Sequence, residues 1–429
     1  MKVLAATILI FASICGFSQS LFHEILEEAD NRPLIISAHA DVFYQGQGLP
    51  NKFINKFLYG GHIDNDLKDE VENQLKTEDN RFGVGFRTGV KIYDLSDSLF
   101  KNGNWGFAVA LEHQQLLTSS FSKDLFHAAF VGNADRIGQD LNMGPSYFNS
   151  IQFQTLEFNF VHKQKQCEFG LAIVKGQSHM ELAADKMKLN TAGDLSEITL
   201  ITDLSFFRSD SSNARLSAFN GIGAALNLVY FIPITTSGSR ASLEGAEKGD
   251  VKSTLGKLKL EIDNFGLVSW MTTPTSYDLD TTFSYKGYEI QNLFNQDLSN
   301  LIDQDALIDS VQPTPSSRSY RSLLPAVFSI SFIPGLQKSN SITGLAGASY
   351  QINANSKPIV YGGVSYKLND RISSSLIGIV GGYGTINAGL QLRYNSSNVS
   401  AIISSNNLIG LATKNGYGKH LNFGVLCRF

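Results

Sequence analysis

The residues best placed to do chemistry stand in two short runs. Lys257, Lys259, Glu261 and Asp263 share one parity of their segment, while Leu258, Leu260 and Ile262 share the other. Farther along, Asp278, Asp280, Ser284 and Lys286 alternate with Tyr277, Leu279, Phe283 and Tyr285. A period of two puts each charged set on one face of a strand, and the two segments are expected to pair. Cations and carboxylates so spaced could bind a charged ligand or line a polar passage. They fit equally a salt-bridged network that fills and solvates the inside of a barrel, where inward charges are normal.

Other signatures of chemistry are missing. The eight histidines are scattered singly, and the sequence has no HExxH, no paired-cysteine spacing, no EF-hand loop and no GxSxG elbow. A metal site or cofactor has no support. Outer-membrane lipases and proteases carry Ser, His and an acid on strand rims, but nothing here points to such a set, so a non-enzymatic role is expected. The net charge is -4 and no basic stripe is present, which argues against nucleic acid.

The elements that must position these charges are strands. At the C-terminus, Leu421, Phe423, Val425, Cys427 and Phe429 form one face and Asn422, Gly424 and Arg428 the other. A terminal strand ending in Phe closes outer-membrane barrels and is read by the assembly machinery, so Phe423 and Phe429 are candidate assembly-signal residues. From Pro325 onward the chain reads as a tight meander, with turns such as Asn369-Asp370, Gly381-Gly382 and Asn395-Ser396. Upstream, Phe82 to Tyr93 sets Arg87 and Lys91 on a face that needs water or acids, and Glu112 stands opposite Trp105, Phe107, Val109 and Leu111. Amphipathic helices are expected around Leu67, Val71 and Leu75 and at Glu289 to Val311. This count gives about 16 strands, with Glu197 to Phe207 and Ala218 to Phe231 as separate strands. Long links at 46–81, 115–150, 177–195, 232–256 and 287–324 alternate with short turns, and all fall at one end. The same phase puts Trp105 and Trp270 at the other end, either in an aromatic girdle or as ordinary core residues.

Composition and targeting agree. Charged residues are 17%, against about 25% in globular chains, while aromatics reach 11% and glycines number 38. A mean hydropathy of -0.05 suits strands with lipid outside and polar residues inside. Met1 and Lys2 precede an apolar run from Val3 to Cys15, then Gly16-Phe17-Ser18, a secretory signal over 1–18 with maturation at Gln19. Ile14 stands where a lipobox before Cys15 needs a small residue. No later run is long and apolar enough for a spanning helix.

Several short motifs resemble a family of Bacteroidota outer-membrane barrels of unknown function. They are Phe130-Val131-Gly132-Asn133-Ala134 with Gly138-Gln139-Asp140-Leu141, then Asp263 to Trp270 with Phe283, Tyr285, Lys286, Gly287 and Tyr288, and Leu324-Pro325-Ala326. That family is similar in plan to FadL-like fatty-acid transporters and to the PorV and PorP/SprF barrels associated with type IX secretion. The Asn-Pro-Ala common near the mature start of such barrels is absent, with Asn31-Arg32-Pro33 in that region. The resemblance implies no catalytic or ligand residues.

The expectation is therefore an all-β, antiparallel transmembrane outer-membrane β-barrel of about 14–16 strands, a single domain over 19–429, with short helices in long outer loops. Its setting is outer-membrane lipid in the cell outer membrane. Two roles remain open: a route for a hydrophobic or small solute, or an accessory to secretion or gliding machinery that binds a secretion-system protein through its loops.

Overall fold

Strands can cross lipid only if every backbone amide is paired, which requires the sheet to close on itself. The computed structural model shows that closure and describes residues 33–96, 103–165, 167–210, 215–238, 251–271, 275–285, 320–334, 342–384 and 386–429. Its strands are β1 (Leu34–Gly46), β2 (Asn80–Asp94), β3 (Trp105–Phe121), β4 (Asp140–Asn142), β5 (Ser146–His162), β6 (Cys167–Thr191), β7 (Ile198–Arg208), β8 (Gly221–Gly238) and β9 (Val251–Trp270). They continue with β10 (Thr275–Tyr285), β11 (Tyr320–Leu323), β12 (Val327–Pro334), β13 (Ile342–Gln351), β14 (Lys357–Lys367), β15 (Ile372–Gly382), β16 (Ile386–Asn395), β17 (Val399–Ser405) and β18 (Lys419–Arg428). The helices are α1 (Asn51–Tyr59), α2 (Asn65–Gln74), α3 (Lys123–Phe130) and α4 (Leu408–Ala412).

The terminal strand closes the ring: β18 pairs antiparallel with β17 on one side and with β1 on the other. Phe429 N donates to Leu34 O at 2.9 Å, so the two ends of the described chain meet at one rim. Phe423 and Phe429 point outward and are exposed. The meander from β12 to β18 follows the sequence reading within a residue or two, except that the strand expected over Val399 to Leu408 ends at Ser405 and Leu408 begins α4.

The barrel has 14 crossings, two fewer than the sequence count of 16. Both β7 and β8 run antiparallel to β6, so they are the upper and lower parts of one descending crossing. In the same way β9 pairs with β8 and β10 with β7, which makes one ascending crossing. The expected pairing of Lys257–Asp263 with the 277–286 segment is therefore wrong: β9 lies between β8 and β12, and β10 lies against β7. The strand β11 with β12 is a third crossing broken in the middle. The residues at the first two breaks read as turns, which is why those two crossings each looked like two strands. As a further consequence the 232–256 link lies at the rim shared by the termini, where Gly238 pairs with Val251. Much of the expected 177–195 link is the upper part of β6.

Outward positions form an apolar belt. Leu111 is 61% exposed, Phe158 46%, Leu171 49%, Val360 58% and Leu376 56%. A band so large and continuous on a monomer requires an apolar solvent, and this is an outer-membrane β-barrel. Trp105 lies at the termini-side end of β3, with its ring against His162 at 4.8 Å. Trp270 is fully buried and does not belong to a girdle.

At the opposite rim the first three helices pack on the outside of the wall. Outward Tyr44, Phe82 and Val84 meet Phe53 and Ile54 of α1, Leu67 and Val71 of α2, and Phe126 of α3. The helix expected around Leu67 and Val71 is thus present, and Asp64 caps it by accepting from Leu67 N at 3.0 Å. Within this cap His127 is buried, with Nδ1 3.0 Å from Glu72 Oε2 and Nε2 2.9 Å from Asp135 Oδ1. Burial alone would lower its pKa. The hydrogen bonds to the two carboxylates outweigh that and hold it above the usual histidine value. The second expected helix, Glu289–Val311, and the signal segment lie outside the described residues.

Candidate functional site

The inward residues of β2, β3 and β9 meet across the lumen. Arg87 on β2 bonds Glu112 on β3 through Nη2 at 2.6 Å and Nε at 2.9 Å. Its Nη1 reaches Asp263 on β9, on the far side of β3, β5, β6 and β8. His39 Nε2 on β1 lies 3.6 Å from Glu112 Oε1. The site depends on Gly89, since a Cβ there would fall 2.7 Å from Glu112 Cγ and 2.9 Å from His39 Cε1. Beside this group Lys91 pairs with Glu168 of β6, and Lys259 Nζ lies 3.1 Å from Glu261 Oε2. Ser329 of β12 donates to the same Glu261 oxygen at 3.1 Å. Charges this deep persist only when paired and hydrogen-bonded.

Of the sequence candidates, Lys259, Glu261 and Asp263 are brought into this inward group, and Lys257 shares their strand and parity. Asp278 and Asp280 are not. They are exposed on β10, opposite Ser205 and Asp203 of β7. Lys286 lies outside the described residues. The sequence flagged Arg87, Lys91 and Glu112 as inward but not their partners. It missed Glu168 and Glu157, whose signal was a lone acid on the polar parity of an otherwise apolar strand.

Toward the long-loop rim the filling changes from charge to rings. Trp270 stacks on His179 at 5.3 Å, and Phe207 stacks on Tyr320 at 3.7 Å. Phe153, Val174 and Val268 pack with them. Trp270 Nε1 donates to Ser322 Oγ at 2.9 Å, which satisfies its polar end. The strand break lies at this level, and substitute bonds seal it. Ser209 N donates to His179 O at 2.8 Å, Asn220 N to Gly176 O at 2.9 Å, and Asn220 Nδ2 to Gln177 O at 2.6 Å. The Gln177 and His179 carbonyls so served lie on the stretch of β6 that faces no strand partner between β7 and β8, and Gly176 is the last residue paired with β8.

The other side of the lumen is different. Between β1 and β12 to β18 lies a cavity of about 220 Å³. Its lining mixes Phe43, Ile359, Tyr361 and Ile379 with Gln45 and Asn387. Below it the inward positions of β15 and β16 include Ser373, Ser375, Gly389 and Gln391.

No family model matches the chain, and no curated protein matches it. Among solved structures it is similar to the translocator domain of the autotransporter NalP from Neisseria meningitidis, at 8% identity over 96% of this chain and 95% of that one, with a TM-score of 0.31. It is also similar to the Ralstonia pickettii toluene transporter TbuX, at 9% identity over 94% and 91%, TM-score 0.37. The Pseudomonas putida toluene transporter TodX is similar at 8% identity over 97% and 94%, TM-score 0.27. At these values no role passes from those proteins to this one.

Proposed function

We propose that this chain is a non-enzymatic barrel resident in the cell outer membrane, admitting a small solute, apolar in part, through one side of its lumen. The observation that carries this reading is the asymmetry of the interior. From β2 to β9 the cross-section is filled by the Arg87 network and the Trp270 cluster. From β12 to β18 it is lined mainly by uncharged residues, with Arg393 and Arg428 as inward cations and Lys357 and Lys419 at the cavity, and it opens into that cavity at the long-loop rim. The belt of outward apolar residues supports the membrane setting. Delivery there would use the signal segment, and insertion would use the barrel-assembly machinery reading the Phe429 strand. No observation among the described residues favours the accessory role in secretion or gliding.

The test is swelling of proteoliposomes containing the mature chain in isosmotic small neutral solutes. Passage is expected for the native protein, and loss of most of the rate for Ser349→Trp, which places a ring in the cavity. Folded, inserted protein that supports no swelling would sink the reading.

A further inference from the structure

The geometry points to the mouth cavity as a binding site for a neutral monosaccharide. This rests on the reading that solutes enter at this side, and it adds the class of solute. Asp41, Phe43 and Gln45 are successive inward residues of β1, and all three line the cavity. They form a row of carboxylate, ring and amide, with neighbours about 7 Å apart along the strand.

The Phe43 ring is held in place on two sides. Behind it is Gly85, where a Cβ would fall 2.2 Å from Phe43 Cε1, so only glycine leaves room for the ring. Beside it is Tyr383, with centroids 6.0 Å apart and planes at 23°. Tyr383 is itself fixed by donating from its hydroxyl to Ala354 O at 2.6 Å. Phe43 remains only partly buried, so part of the ring is available to a ligand in the cavity. A fixed ring presented this way suits the C–H face of a pyranose.

Two amides converge beside that ring. A Cβ on Gly384 would lie 2.5 Å from Gln45 Nε2 and 3.3 Å from Asn387 Nδ2, so side chains from β1 and β16, with β17 and β18 between them around the ring, reach the same point. Both residues are partly buried, and neither side chain has a hydrogen-bond partner among the described residues. Each amide offers donors and an acceptor, the pattern that reads vicinal hydroxyls. An entirely apolar occupant would cover these amides without satisfying them. Asp41 and Lys419 both line the cavity and offset each other in charge, and the other lysine of the lining, Lys357, is turned to Asp79 at 3.6 Å, so the site is not built for an anion. Pockets for drug-sized ligands run to about 300–1,000 Å³, so a cavity of about 220 Å³ holds one ring.

The experiment is calorimetric titration of the folded mature chain, in a detergent without a sugar headgroup, with glucose, galactose and N-acetylglucosamine. Cyclohexanol serves as the apolar ring control. At least one sugar should bind. Phe43→Ala and the double variant Gln45→Ala/Asn387→Ala should each weaken it about tenfold or more. Asn387→Asp, which keeps the side-chain shape, should also weaken it and guards against a folding defect in the alanine variants. Binding of none of the sugars, or of cyclohexanol alone with no response to the amide variants, would overturn the inference. Swelling without sugar binding would overturn it while leaving the passage intact. Sugar binding without swelling would uphold the site and sink the passage.

Discussion

Arg87 and Asp263 lie 176 residues apart in the chain and face each other across the barrel, joined by a direct ion pair. Through the second partner, Glu112, one guanidinium ties β2 and β3 to β9. Removing the cation strands two carboxylates in a poorly solvated place, and breaking a buried pair this way costs about 3–5 kcal/mol. Arg87→Met should therefore lower the denaturant midpoint of the folded barrel, read from its heat-modifiable band. The triple variant Arg87→Met/Glu112→Leu/Asp263→Leu should recover most of the loss, since no unpaired charge remains. A single variant as stable as the native chain would show that the network carries no load.

The two tryptophans should report different solvents. In a Trp105→Phe variant the remaining Trp270 should emit in the blue and resist quenching by brominated lipids, because it is fully buried against His179. In Trp270→Phe, the remaining Trp105 should be quenched at interfacial depth. Equal quenching of both would place Trp270 on the lipid face and contradict its position in the lumen.

The helical cap should loosen as pH rises. His127 is held above the usual histidine pKa of 6.5 against burial, by Glu72 and Asp135, with Arg136 Nη2 3.5 Å and Lys123 Nζ 4.0 Å from Glu72 Oε1. A raised folded-state pKa means that folding favours the protonated ring. That stabilisation is fully present below the unfolded pKa and is lost as pH rises through the folded one. Hydrogen exchange over 123–139, corrected for its intrinsic pH dependence, should speed up as pH rises above the ordinary histidine value of about 6.5, and His127→Gln should flatten the change. Exchange that slows over this range would refute the clamp.

Phe429 should matter for assembly more than for stability. Its ring is outward and 63% exposed, so truncation removes little packing. Phe429→Ala should refold in detergent like the native chain but show a reduced assembled fraction in outer membranes. Equal assembly of the two would remove Phe429 from the signal.

How much of this was legible follows from how the strands are built. From β13 to β18 each strand crosses in one piece and most of the links are short turns, so period two was enough to place residues such as Leu390 and Gln391 on opposite faces. The middle of the barrel was misread because parity gives a face and not a partner. Asp263 and Asp278 sit on one interrupted crossing, yet only Asp263 reaches Arg87, and nothing local in the sequence separates them. Ser209 and Asn220 look like turn residues and act as substitutes for a missing strand neighbour. Gln45 and Asn387 are ordinary polar alternations until ring closure brings β1 and β16 to the same cavity.

The most direct test of the central claim is the swelling rate of proteoliposomes carrying the native mature chain beside those carrying Ser349→Trp. A half-open lumen requires solute entry with the native chain and its loss when the β12–β18 side is filled. Equal swelling for both, or none from a folded and inserted native barrel, would contradict it.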